Sequence, residues 1–231
     1  MARSAQTLLV SEIFDSIQGE GCKAGAPRTF LRLAGCNLRC GYCDTKYTWD
    51  WQQFDKKAET SRLPFESVLR KLQNSPGLVI TGGEPLLQQT ALARLLAQLP
   101  LELPVELETN GTIAPSPELL RRVDLWNVSP KLAAAGDPEE QRLRPAVLKR
   151  FRDSGRAWLK IVVEGRAEVA EAQGLVRSLA WPSERVMLQP QATERPRLLE
   201  LSPTVSAWAR EANYAFSPRL HLAIWGARRG V

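Results

Sequence analysis

Histidine is nearly absent from this chain: His221 stands alone among 231 residues, and there are only four cysteines. A structural zinc site needs four ligands, so one here would have to recruit Cys22 or His221 to join Cys36, Cys40 and Cys43. The cysteines form no framework of the kind that staples small secreted domains, which favours a reducing compartment. No apolar run approaches membrane-spanning length, and the start, Met-Ala-Arg-Ser-Ala-Gln-Thr, lacks the apolar core of a secretory signal. The chain therefore reads as cytoplasmic, with no membrane partner. Internal repeats and low-complexity segments are missing as well.

What is present is an ordinary globular composition, 44% hydrophobic and 24% charged, long enough for one domain spanning residues 1–231 with its own core. The net charge of +6 favours an anionic ligand. Its basic clusters, Lys149, Arg150, Arg152 and Arg156, then Arg228 and Arg229, carry no interleaved aromatic platform. They read as solvated or dimer-rim charge, and no nucleic-acid partner is expected.

Hydrophobic spacing gives an alternating pattern. Leu8–Phe14 reads as a strand, followed by a Gln18-Gly19-Glu20-Gly21 turn, and Thr29–Leu33 as a second strand that delivers the chain into Cys36. Trp49–Leu63 reads as a loop insertion. Phe65, Val68, Leu69 and Leu72 recur at helical spacing, as do Leu92, Leu95, Leu96 and Leu99, and later Val169, Ala172, Val176 and Leu179. Strands are expected at Leu78–Thr81, Val105–Thr109, Leu125–Ser129, Ala157–Val163 and Val186–Gln189. Pro145 opens another helix, Ser202-Pro203 caps one reaching about Ala212, and Leu220–Trp225 is expected to close the chain as a strand. The link between Thr109 and Leu125 looks too short for a full helix, and Leu132–Glu140 reads as a mobile loop. Six strands from Thr29 to Gln189, mostly separated by helices, define an α/β fold. Its sheet is parallel, with right-handed crossovers.

Unusual residues gather at the carboxyl ends of those strands, where parallel sheets and barrels build their sites. Cys36 to Cys43 follow the first, Gly82-Gly83-Glu84-Pro85 the second, Asn110-Gly111-Thr112 the third, Ser129-Pro130-Lys131 the fourth, Glu164-Gly165 the fifth and Gln189-Pro190 the sixth. Spacings of three and two residues bring three soft thiolates round one small metal centre. A [4Fe-4S] cluster on three cysteines leaves one iron open for chemistry.

Cys36-x-x-x-Cys40-x-x-Cys43 with Gly-Gly-Glu-Pro resembles the radical S-adenosylmethionine enzymes. Ile17-Gln18-Gly19-Glu20-Gly21, Arg32-x-x-Gly35-Cys36-Asn37-Leu38, Asp44-Thr45, Thr81 to Leu86, Glu108 to Thr112, Ser129 to Lys131 and Gln189-Pro190 are together similar to the 7-carboxy-7-deazaguanine synthase family, over residues 13 to about 191. The resemblance implies an incomplete parallel barrel of (β/α)6 type with shortened helical crossovers. Its implied reaction contracts the ring of 6-carboxy-5,6,7,8-tetrahydropterin to 7-carboxy-7-deazaguanine with loss of ammonia, for queuosine or another deazapurine. Cys36, Cys40 and Cys43 would ligate the cluster, whose electron cleaves S-adenosylmethionine to the radical that takes hydrogen from the substrate. Gly83 and Glu84 would meet the methionine amino group. Tyr42, Cys43, Asp44, Ser129, Pro130, Lys131, Gln189, Pro190, Gln191 and Ala192 would line the rest of the S-adenosylmethionine site. Ile17, Gln18, Gly19, Glu20, Arg32 and Thr81 would hold the pterin, Arg32 on its carboxylate, and Thr45 would ligate Mg2+. A homodimer and an external one-electron reductant such as flavodoxin complete the implied partners.

Other readings stay open on sequence. Arg32 could pair with Asp44 or Glu108, Thr45 could cap a turn, and His221 reads as a strand residue facing a polar layer. Cys22 reads as a small buried side chain. The tail from Trp225 to Val231 lacks the proline expected of the family and is left out of the site. A glycyl-radical activating enzyme shares the cysteine spacing, although the Gln-Gly-Glu-Gly segment and Arg32 argue against it. A zinc-binding nucleic-acid module would instead show steep salt dependence.

Overall fold

The computed structural model describes residues 6–231. β1 (Thr7–Ile17) runs antiparallel to β2 (Pro27–Leu33). The stretch expected as a loop insertion contains α1 (Lys56–Glu59) and β3 (Ser61–Pro64), and β3 pairs antiparallel with the start of β1, Thr7 opposite Pro64. With one apolar residue, Leu63, β3 is held by backbone pairing, which hydrophobic spacing does not report.

Helices and parallel strands then alternate: α2 (Phe65–Leu72), β4 (Leu78–Gly82), α3 (Gln89–Leu96), β5 (Val105–Thr109), α4 (Pro117–Arg122) and β6 (Leu125–Val128). α4 is under two turns, in keeping with the short link; Ser116 caps it and Pro117 opens it. Then come α5 (Glu139–Arg142), α6 (Pro145–Asp153), β7 (Ala157–Val163), α7 (Arg166–Leu179) and β8 (Val186–Pro190). α8 (Arg195–Glu211), β9 (Ala215–Phe216) and α9 (Leu220–Trp225) complete the chain.

Two expectations fail at the carboxyl end. The closing strand is the two-residue β9, and Leu220–Trp225 is a helix whose Leu222 packs with Ala192 and Leu198. A six-residue apolar run has too few positions for periodicity to separate helix from strand. α8 begins at Arg195, with Pro196 in its first turn, and carries Pro203 inside it. An interior proline costs about 3 kcal/mol, and it is tolerated because Leu198, Leu201, Val205 and Ala209 bury one continuous stripe.

The sheet order is β3-β1-β2-β4-β5-β6-β7-β8-β9, and β9 does not pair back to β3, so the barrel is open. Six parallel pairings join seven strands, β2 and β4 to β9. Their alternating side chains divide the labour. Leu31, Leu33, Leu78, Ile80, Leu107, Trp126, Val128, Leu159, Ile161 and Leu188 are sealed in one core, with α2, α3 and α7 contributing Val68, Leu95 and Ala172. Trp126 packs on Phe151 of α6 with ring centroids 5.1 Å apart. The opposite face carries Arg32, Thr81, Glu108, Lys160 and Gln189 into a concave interior.

The open barrel is floored by residues 18–21. Gln18 donates to Glu106 of β5 at 3.3 Å, and Gly21 donates its N–H to the Ser217 hydroxyl at 2.9 Å. Glu20 pairs with Lys160 of β7, and the Gly19 carbonyl accepts from Leu220 N–H at 2.8 Å. Gly19 must be glycine, because a Cβ there would lie 2.0 Å from His221 Nδ1.

Candidate active site

The strand ends and the floor enclose a cavity of about 620 Å³. The loop after β2 forms one wall. Its turn is fixed by Gly41 N–H donating to Ala135 O at 2.9 Å and Arg39 N–H donating to Asp137 Oδ1 at 2.7 Å. Leu132, Ala135 and Asp137, in the stretch expected to be mobile, are thus buried as the backing of the cysteine loop.

Cys36, Cys40 and Cys43 line the cavity and make no disulfide. Leu38 N–H points at Cys36 Sγ at 3.5 Å, and the Trp49 indole N–H donates to Cys43 Sγ at 3.3 Å. Burial pushes the free thiols up, Cys36 to about 11 and Cys40 to about 12. Soft sulfurs on one short loop, served by N–H donors and facing a cavity, fit an iron–sulfur cluster. The high affinity of Cys36 and Cys40 for protons means that metal, rather than solvent, must draw out their thiolates.

Beside this loop, β4 ends at Gly82 and Gly83 follows it. A Cβ on Gly83 would lie 2.2 Å from Gly35 O, so the two loops touch backbone to backbone. Glu84 stands just behind the lining, 1% exposed. Its carboxylate accepts from Leu86 N–H at 2.9 Å, Asn110 N–H at 2.7 Å and the Thr109 hydroxyl, and burial raises its pKa despite those donors. Pro130 also lies behind the lining. The remaining expected residues, Ile17 to Glu20, Arg32, Tyr42 to Thr45, Thr81, Gly83, Ser129, Lys131 and Gln189 to Ala192, border the one cavity. Lys131 Nζ donates to Ser129 Oγ at 2.9 Å, and the Thr81 hydroxyl donates to Glu108 at 2.8 Å.

Arg32 pairs with Glu12, Nε to Oε2 at 2.9 Å, rather than with Asp44 or Glu108. Glu12 also accepts from the Tyr47 hydroxyl at 2.8 Å and faces Arg229 at 3.5 Å. Arg229 lies over the Tyr47 ring, 3.6 Å from its centroid, and bonds Glu59 at 2.7 Å. The tail left out of the expected site therefore borders the cavity from Gly226 to Val231. Cys22 is exposed rather than buried, on the turn after the floor segment, and is absent from the lining.

Local sequence pattern does not place three interior groups. Lys160 is 5% exposed and sits between Glu20 and Glu108; a lysine within Ala-Trp-Leu-Lys-Ile-Val-Val was the available signal. Arg219 bonds Glu20 at 2.9 Å, Asp44 and the Ala192 carbonyl, tying floor, cysteine loop and β8 together. No local pattern marks it. His221 sits on α9 against Gly19 and borders the cavity, and burial lowers its pKa so that the ring is neutral at pH 7.

Burial works to raise the Glu20 carboxyl, but Lys160 and Arg219 outweigh it and hold the group well below its ordinary 4.5. Asp44 behaves likewise under Arg219. Burial works to lower Lys160, and Glu108 with Glu20 overcomes it, keeping the ammonium charged. The interior is thus a compensated array of fixed charges, pre-organised for a polar ligand.

A thiolate loop at the carboxyl end of an open parallel barrel, beside a glycine turn and a charged interior, defines an iron–sulfur enzyme of the radical S-adenosylmethionine class. A 4Fe-4S single cluster domain matches residues 17–124. The chain is 38% identical to the 7-carboxy-7-deazaguanine synthase of Pyrobaculum aerophilum over 96% of both chains. It is 40% identical to that of Hyperthermus butylicus over 97% of this chain and 99% of the other. For the Rhodopirellula baltica protein of the same name, identity is 34% over 99% of this chain and 90% of the other. The crystal structure of QueE from Escherichia coli superimposes with a TM-score of 0.70 over 94% of this chain and 97% of that one, at 24% identity, which bears on the fold. The chain belongs to the 7-carboxy-7-deazaguanine synthase family.

Proposed function

We propose that this chain carries out its family's reaction, the ring contraction of 6-carboxy-5,6,7,8-tetrahydropterin to 7-carboxy-7-deazaguanine with loss of ammonia. The observation that carries the reading is that one cavity is bordered by both the cysteine loop and the charged interior around Arg32, Glu108 and Lys160. Cys36, Cys40 and Cys43 would hold the [4Fe-4S] cluster, which when bound supplies the electron that cleaves S-adenosylmethionine.

The chain's own residues then bind, orient and exclude. Gly83 offers its backbone to the methionine ammonium, with the buried charge of Glu84 behind it. Tyr42, Asp44, Ser129, Lys131 and Gln189 to Ala192 border the nucleoside, with Pro130 shaping the turn from behind. Arg32 turns its guanidinium fork to the pterin carboxylate, and Glu12 fixes its orientation. Ile17, Gln18, Gly19 and Glu20 form the floor under the bicycle, and Thr81 closes its side. Glu108 and Lys160 offer an acceptor and a donor to its ring edge. The Thr45 hydroxyl would contribute one oxygen ligand to Mg2+, a hard ion suited to neutral and anionic oxygens.

Outside the cavity, the reading implies a homodimer in the cytoplasm, reduced by a one-electron donor such as flavodoxin. Among the described residues no helix is long and apolar enough to cross a membrane. The test is an anaerobic incubation of reconstituted protein with the carboxytetrahydropterin, S-adenosylmethionine, reductant and Mg2+, followed by mass spectrometry. Appearance of the deazaguanine acid is expected. Stoichiometric zinc without cluster absorption, or cleavage of S-adenosylmethionine with no pterin consumed, would overturn the reading.

A further inference from the structure

Tryptophans in this chain mostly serve packing. Trp126 and Trp181 are buried with their indole N–H groups unpartnered. Trp49 is different. It is 7% exposed, and its single donor is spent on sulfur, Nε1 to Cys43 Sγ at 3.3 Å. The backbone that carries it is pinned by Trp49 N–H to Lys46 O at 3.0 Å and by Gly35 N–H to Thr48 O at 2.7 Å. A cation covers the ring: Arg39 Cζ lies 4.8 Å from its centroid. That guanidinium is itself anchored on the cysteine loop, where Nη1 donates to Cys36 O at 2.9 Å and Leu38 O at 3.0 Å.

We propose that the Arg39–Trp49 pair acts on the cluster from outside its ligand set, raising its reduction potential through the hydrogen bond to Cys43. This rests on the reading of Cys36, Cys40 and Cys43 as cluster ligands. Reduction adds one electron, and the extra negative charge spreads onto the ligand sulfurs. An N–H aimed at a thiolate therefore stabilises the reduced form more than the oxidised one. The guanidinium over the indole face adds a positive charge and polarises the ring toward a stronger N–H donor. Trp49 and Arg39 are positioning and tuning residues, since neither ligates iron. Leu38 N–H, a backbone donor to Cys36, is retained chemically in both substitutions.

The test is a redox titration followed by electron paramagnetic resonance on anaerobically reconstituted full-length protein, without substrate, for the unaltered chain, Trp49→Phe, Arg39→Gln and Arg39→Lys. Phenylalanine keeps an aromatic face under Arg39 while removing the donor and one ring of the indole, so iron content is measured beside the potential. At the poise that half-reduces the unaltered cluster, the reduced-to-oxidised ratio should fall about tenfold in Trp49→Phe, equivalent to 59 mV for one electron. Arg39 is exposed and screened, so Arg39→Gln should lower the ratio about threefold, and Arg39→Lys should recover most of it. A purely structural role would lower iron content and leave the potential in place. Equal iron with a ratio within about twofold of the unaltered value in Trp49→Phe overturns the proposal. If that variant fails to hold iron, an unchanged ratio in Arg39→Gln overturns it and a lowered one supports it. An unaltered chain that takes up zinc instead of a cluster removes the underlying reading, and the proposal with it.

Discussion

Leu107 and Glu108 are neighbours on β5, yet one is sealed in the apolar core while the other borders the cavity and accepts from Thr81. The same contrast recurs along β7, where Leu159 and Ile161 are fully buried among helices and Lys160 between them is paired with Glu20. The period of two in a strand is what separates the outer face, which makes the barrel stable, from the inner face, which makes it an enzyme. Substitution on one face should therefore leave the other face's property largely in place.

The strongest challenge to that separation comes from the cysteine loop. Cys40→Ala should remove the four-iron centre and abolish cleavage of S-adenosylmethionine, with a thermal midpoint close to that of the unloaded parent; iron analysis and calorimetry check this. On the outer face, Trp126→Ala should cost about 3–5 kcal/mol in denaturant unfolding, with the folded fraction retaining its KM for the pterin. Arg219→Gln works on the inner face. It leaves Glu20 and Asp44 short of a partner, and because Lys160 remains and Asp44 is partly exposed, a loss of about 1–3 kcal/mol is expected.

That loss has a definite pH signature. Glu20 and Asp44 have carboxyls depressed in the fold, so their contribution is present above their ordinary values of 4.5 and 3.8 and vanishes as pH falls through the depressed ones. Lys160 is raised, so its contribution holds below 10.5 and is lost as pH climbs through the folded value. The gap between parent and Arg219→Gln should be widest near neutral pH and should shrink in acid; a gap independent of pH would count against the ion-pair account. The smallest effect is expected at Thr45→Ala, which should raise the Mg2+ needed for half-maximal turnover about tenfold, the lower end of what losing one contact at a metal site costs, and leave cleavage of S-adenosylmethionine intact.

Much of this molecule is legible in its sequence, for identifiable reasons. The seven-strand parallel core, apart from β9, and the cysteine loop are announced by local patterns: apolar strands, helical spacing and cysteines with three and two residues between them. The turn from Gln18 to Gly21 is equally local, although its place as the barrel floor is not. Arg219, 175 residues from Asp44, is invisible locally because its partners meet only when the barrel curls. β3 is held by backbone hydrogen bonds, and α9 by Leu222 filling a gap beside Leu198. Pro203 misled because a local helix-start signal was overruled by the buried stripe of α8.

On the proposed function, one cavity holds a cluster end and a substrate end, with Arg32 belonging to the second. Both products can be followed in a single anaerobic incubation of Arg32→Ala, 5'-deoxyadenosine for cleavage and the deazaguanine acid for turnover. Cleavage is expected to continue, uncoupled, while formation of the deazaguanine acid is lost. Retention of full deazaguanine formation would contradict it.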